Sequence, residues 1–181
     1  MSQARYSGVA MTLHWAIAIA VIVNWRIAES AENLPDTERA AVMANHMALG
    51  MVILGLTALR LLWRLMRKPP PLASTLKPWE RTAARAAHAI FYVLLVGLPL
   101  GGWLATSFYG VGVKIWSLFT VPRLPVAANE AVGHQIFEVH ATAGTVMLAL
   151  IALHILGALK HTFIDKDGNL FRMLPFGTPK A

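Results

Sequence analysis

The sequence predicts an all-α integral membrane protein, a bundle of four helices that cross the bilayer. Three observations predict it. The 181-residue chain is 56% hydrophobic and 14% charged, against about 25% charged in an ordinary soluble domain. Its apolar residues gather in four runs, each close to the ~20 residues a helix needs to cross the hydrocarbon core. Its lysines and arginines crowd onto one set of alternating loops, as they do in multi-span chains. One domain, residues 1–181, accounts for the length.

The first span covers residues 8–28, with His14 near its start. Trp15 and Trp25 bracket its apolar core, as interfacial aromatics do. It lacks a small-residue cleavage site and reads as a retained span, not a signal peptide. Residues 29–39 form a short acidic loop. The second span covers residues 40–63 and carries His46 one to two turns in. Arg60, Arg64, Arg67 and Lys68 follow, and Pro69-Pro70-Pro71 ends the helix. Lys77, Arg81 and Arg85 continue the basic run into the third span, residues 82–107. His88 lies near that span's start, and Pro99 is expected to kink it. Residues 108–130 form the longest loop. Its Val-Lys-Ile-Trp-Ser-Leu-Phe stretch is expected to lie as an amphipathic segment on the membrane surface. The fourth span covers residues 132–161. The polar tail, residues 162–181, contains the turn signal Asp165-Lys166-Asp167-Gly168.

Four spans put both termini on one side. That side holds 12 of the 16 lysines and arginines; Arg26, Arg39, Lys114 and Arg123 fall on the other. The positive-inside rule therefore places both termini in the cytoplasm. The net charge of +7 reads as this topology signal and as contact with lipid headgroups, not as a nucleic-acid interface. The absence of cysteine excludes disulfides, thiolate iron–sulfur clusters and covalently attached c-type haem.

The fourth span organises the chemistry. His140 and His154 are 14 residues apart, so both leave one helix face, roughly 21 Å apart along the axis. Intramembrane histidine is costly and points to function. The topology gives each histidine a depth. His14 and His154 fall at the inner level, and His46 and His140 at the outer level. Two imidazoles on facing helices at one depth meet the requirement of bis-histidine haem. Gly50 and Gly144, one turn past His46 and His140, leave room for a flat macrocycle. Gly55, Gly97 and Gly101 are read as sites of close helix packing. Two other readings stand beside this one. The histidines could be unrelated, each hydrogen-bonded within the bundle. Zinc is disfavoured, because a closed zinc site gathers four ligands at one place. His88, at the inner level, is either an alternative to His14 or a polar neighbour of a haem or quinone. His134 is a solvated boundary residue. His161, seven residues past His154, could hold or protonate a ligand headgroup.

The opening Arg-Tyr-Ser-Gly-Val-Ala-Met-Thr-Leu-His-Trp, the placing of His46, the His140/His154 spacing and the tail Leu-Lys-His-Thr-Phe-Ile-Asp-Lys-Asp-Gly-Asn-Leu-Phe-Arg-Met-Leu-Pro resemble the bacterial dihaem cytochrome b561 family. The resemblance covers nearly the whole chain. It implies two b-type haems stacked in a four-helix bundle of the bacterial inner membrane, with His14, His46, His140 and His154 as iron ligands. Family members of this size include superoxide oxidase, so it implies that electrons pass from periplasmic superoxide through the haems to ubiquinone. It implies a cytoplasmic-side quinone site at Lys77 and His161, with His88 a further candidate. Arg26, Lys114 and Arg123 are the outer cations that would steer superoxide, although Arg26 could equally snorkel to headgroups. Other family members are cytochrome subunits of hydrogenases and dehydrogenases. The alternative is therefore an electron carrier serving a redox partner protein. The short loops, about 23 and 20 residues in the longest loop and the tail, favour a self-contained enzyme.

Overall fold

The computed structural model describes residues 5–177. Its four long helices are α1 (Gly8–Ser30), α2 (Asp36–Met66), α3 (Pro78–Phe108) and α4 (Glu130–Phe163). All four are long and apolar enough to cross a membrane, and the protein is a membrane four-helix bundle. The helices outrun the expected spans at most ends. At 31 to 34 residues, the longer three measure roughly 46–51 Å at ~1.5 Å per residue, well beyond a ~30 Å hydrocarbon core. The added turns are polar and carry their own start signals. Asp36 and Glu38 sit at the positive N-terminal end of α2. Proline opens α3, where its missing N–H costs nothing. The Ser7 hydroxyl accepts from Ala10 N (3.3 Å), and Asn129 Oδ1 accepts from Val132 N (3.2 Å), capping α1 and α4. The acidic loop accordingly shrinks to residues 31–35.

The helices pack as two antiparallel hairpins, α1 on α2 and α3 on α4, joined through α2 and α3. Side chain to backbone bonds fix the register. His46 Nδ1–H donates to Asn24 O (3.1 Å) and Arg60 Nη1 to Ala10 O (2.7 Å). In the second hairpin His140 Nδ1–H donates to Leu98 O (3.0 Å) and Lys160 Nζ to Glu80 Oε1 (2.8 Å). Pro99 lies inside α3, one residue from the carbonyl that His140 uses. Only 6–17% of each span's apolar window is buried within the chain. The outward residues, such as Ile19, Leu59, Val93 and Leu153, are those a lipid solvent accepts. The expectation for three glycines fails: a Cβ at Gly55, Gly97 or Gly101 would meet nothing within 4 Å. Close approach occurs instead at Gly133, whose Cβ would fall 2.7 Å from Tyr109.

The α3–α4 connection departs from expectation. The Val-Lys-Ile-Trp-Ser-Leu-Phe stretch is folded where a loop was expected. It forms an antiparallel hairpin, β1 (Val113–Ile115) with β2 (Phe119–Val121), Val113 opposite Val121. The side chains alternate: Val113 and Ile115 pack with Ala48, Met47, Met51 and Trp103, while Lys114 faces out. The hairpin thus covers α2 directly past His46. Trp116 Nε1 ties its tip to Asn45 Oδ1 (3.1 Å). Ile115→Ala should loosen it by about 2–4 kcal/mol, the usual cost of emptying a buried isoleucine site. Protease cutting at residues 116–118 should accelerate; unchanged cutting would show that Ile115 does not hold the hairpin down.

The tail folds back over the opposite end. Lys166 and Gly168 take left-handed φ of 52° and 68° and turn the chain into a short 3₁₀ helix, Asn169–Met173. Buried Arg172 donates to Pro71 O (2.6 Å). Tyr6 N donates to Arg172 O (3.2 Å) and Trp15 Nε1 to Met173 O (2.8 Å). The Arg5 guanidinium reaches the carbonyls of Phe171, Pro175 and Gly177. The bundle therefore has a hairpin end and a tail end.

Candidate functional site

The structure brings the four candidate ligands together in two pairs. The ring centres of His46 and His140 are 6.0 Å apart near the hairpin end, and those of His14 and His154 are 6.3 Å apart toward the tail end. In both pairs the interacting helices do not pack closely: α2 faces α4 and α1 faces α4 across the interval between the two helix hairpins. The imidazoles bridge that interval.

This arrangement fits haem. Two imidazoles on one metal place it roughly 2 Å from each nitrogen, and each ring centre stands ~1 Å further out, so one ion lies between ring centres about 6 Å apart. At the hairpin end both Nδ1–H groups are committed to backbone carbonyls, those of Asn24 and Leu98. This leaves each Nε2 lone pair as the metal-binding atom, and such a carbonyl partner is the usual support for a ligating histidine. A Cβ at Gly102 would lie 3.4 Å from the His140 ring, so the glycine lets α3 back this ring closely. A Cβ on Gly144 would meet nothing within 4 Å, and one on Gly50 only Asn24 Nδ2 at 3.8 Å. Three side-chain polar atoms are buried without a partner among the described residues: Asn24 Oδ1, Thr57 Oγ1 and, in the first turn of α3, Arg81 Nε. Asn24 lies at the level of His46, and the α1–α2 register sets Thr57 level with His14. A polar group seated at either level finds an atom to bond.

His88 also reaches the tail-end pair. Its ring centre is 6.2 Å from that of His154, and Phe91 stacks edgewise on the same ring at 5.5 Å. Among the described residues no hydrogen bond reaches the His14, His88 or His154 rings. Ring spacing alone therefore does not choose between His14 and His88; the two differ in that α3 lies directly against α4 and α1 does not.

The three candidate cations all lie toward the hairpin end. Arg26 pairs with Glu29 one turn on and lies over the Trp25 ring, 5.6 Å from its centre. Lys114 projects from β1 with no acidic partner among the described residues. Arg123 follows β2 and donates to Val126 O at 3.5 Å. His134 is exposed, 3.8 Å from Glu138.

At the tail end a polar cluster surrounds His161 that sequence reasoning largely missed. Lys77 opens α3, and its backbone N–H donates to Glu80 Oε2 (2.9 Å). Glu80 in turn holds Lys160, which also reaches Asp165 (2.6 Å). His161 Nδ1 lies 2.9 Å from Asp165 and 3.0 Å from Asp167. Glu80, His161 and Asp165 lie close enough to share a metal ion, but the Lys160 ammonium already bridges the two carboxylates. The one available sequence signal was the Asp-Lys-Asp-Gly turn, which reverses the chain onto its own helix.

Four apolar helices with imidazoles opposed across them at two depths define a membrane electron-transfer protein of the cytochrome b type. A model of the prokaryotic cytochrome b561 family matches residues 5–176, and the chain belongs to that family. It is 30% identical over 172 residues to "Cytochrome b561 homolog 2" of Escherichia coli (strain K12), covering 94% of this chain and 91% of the relative. It is 28% identical over 173 residues to "Probable superoxide oxidase CybB" of Yersinia pestis, covering 94% and 96%. It is 27% identical over 175 residues to "Cytochrome b562" of Cereibacter sphaeroides, covering 93% and 94%. Membership implies b-type haem, redox electron transfer and a multi-pass place in the membrane.

Proposed function

We propose that this protein is a dihaem superoxide:ubiquinone oxidoreductase of the bacterial inner membrane. The observation that carries the reading is the pair of opposed imidazole sets at two levels of one bundle. His46 and His140 would hold one haem, and His14 and His154 the other. The bias of basic residues supports a cytoplasmic tail end and a periplasmic hairpin end. The name of the Yersinia pestis relative supports superoxide as donor.

Bound haem supplies reversible one-electron chemistry. The chain supplies the rest. Asn24 and Leu98 carbonyls orient the outer imidazoles, and apolar helices keep water from the rings. Lys114 and Arg123 draw the superoxide anion to the hairpin end; Glu29 largely neutralises Arg26. Two superoxide ions release two O2, and ubiquinone takes the two electrons with two protons to become ubiquinol. Quinone binds at the tail end beside Lys77 and His161, with His88 lining the approach to the inner pair.

The test is haem content and electron flow in detergent. Two b haems reduced quickly by superoxide and reoxidised by ubiquinone support the reading. Two haems indifferent to superoxide but reduced by quinol identify an electron-carrier subunit serving a redox partner instead. The cation assignment has its own check. Lys114→Glu with Arg123→Glu should slow superoxide-driven haem reduction about tenfold at low salt, and the loss should shrink at high ionic strength. Arg26→Glu should cost less, and a salt-independent loss would rule steering out.

A further inference from the structure

We propose that Asp167 is the positioning residue for His161 in proton delivery to quinone. The proposal rests on the reading above, that quinone is reduced at the tail end.

Asp167 is held as few surface-turn carboxylates are. Its side chain is 4% exposed. Oδ1 accepts from Asn169 N (2.9 Å), and Oδ2 accepts from Thr75 Oγ1 (2.9 Å) and faces His161 Nδ1 at 3.0 Å. Its own N–H closes onto His161 O (3.1 Å). The left-handed Lys166 and Gly168 on either side make that reversal. A carboxylate locked onto Nδ1–H fixes both the tilt and the tautomer of an imidazole. The other nitrogen, Nε2, has no partner among the described residues and is the atom left for a ligand.

The groups around the ring divide the work. From α3, Glu80 faces Lys160; from α4, Lys160 binds Glu80 and Asp165; from the tail, Asp165 and Asp167 face Nδ1; from the α2–α3 connection, Thr75 binds Asp167. Asp165 is 31% exposed and tied to Lys160, so it meets water. Asp167 is buried and holds the ring still. In the step, Nε2 takes a proton from cytoplasmic water and passes it to a ring oxygen of the reduced quinone. The Nε2–H bond breaks, an O–H bond forms, and the imidazole returns to its Nδ1–H form. The two electrons come from the one-electron donor through the chain's own electron transfer; the second proton comes from water.

Full-length, haem-loaded protein is reduced with dithionite and mixed with ubiquinone-1, so superoxide plays no part. Asp167→Asn should lower the maximal reoxidation rate about tenfold, the usual effect of losing a residue that orients an active group. The ubiquinone-1 concentration for half-maximal rate should stay within about twofold, and the solvent deuterium isotope effect should rise. Asp167→Glu should recover part of the rate. A normal rate and isotope effect in Asp167→Asn, with His161→Gln slowed, would overturn the positioning role alone. A normal rate in His161→Gln would overturn the proton role of His161, and normal rates in Lys77→Ala and His88→Ala as well would overturn the tail-end quinone reading. If Asp167→Asn does not accumulate, ¹⁵N-histidine spectra of the unaltered protein decide: neutral His161 protonated at Nδ1 supports the proposal, and at Nε2 refutes it.

Discussion

His140→Ala should yield a protein with one haem per chain where the proposed assignment gives the unaltered protein two. Alanine is the best helix former, so α4 persists and His154 keeps its place toward the tail end. What disappears is one of two imidazoles facing each other 6.0 Å apart, the one fixed by the Leu98 carbonyl. His46 alone gives a single axial bond from one side. Haem per protein should fall from two toward one in a pyridine haemochromogen assay, and superoxide-driven reduction of the remaining haem should drop about a hundredfold or more, as its entry site is gone. His134→Ala, six residues away on the same helix and exposed, should change neither. Two haems in His140→Ala would dissolve the pairing at the hairpin end.

At the other level His14→Ala should lose one haem while His88→Ala keeps both. The two rings stand at nearly equal distances from His154, 6.3 and 6.2 Å. The difference lies in the helices behind them. A flat macrocycle needs helices that stand apart, as α1 and α4 do, and α3 is fastened to α4 by the bonds from His140 and Lys160. His88→Ala should shift the absorption or midpoint potential of one haem through its lost polar neighbour, with stoichiometry unchanged. The opposite pattern would make His88 the ligand and leave His14 as the neighbour.

The four spans and the pairing of histidines by depth were legible because each rests on a regular period. Apolar runs report spans, and 14 residues along α4 report two positions on one face. Gly55, Gly97 and Gly101 were misread because glycine suits both close packing and open space, and only the neighbouring helix decides. The β1–β2 hairpin escaped because three-residue strands are too short to show a period, and its Trp116 and Phe119 look amphipathic on any geometry. The cluster around His161 escaped for another reason. Asp167 finds Thr75 and Arg172 finds Pro71 across 92 and 101 residues of chain, and no local pattern records such contacts.

The clasp between Arg5, Tyr6, Trp15 and the 3₁₀ turn bears on how the protein is made. Its two halves lie at opposite ends of the chain. The first helix enters the membrane long before the residues that fasten it have been synthesised. Until residues 171–173 have been made, Arg5, Tyr6 and Trp15 lack the carbonyls they bind there, and the tail end of the bundle stays unlatched.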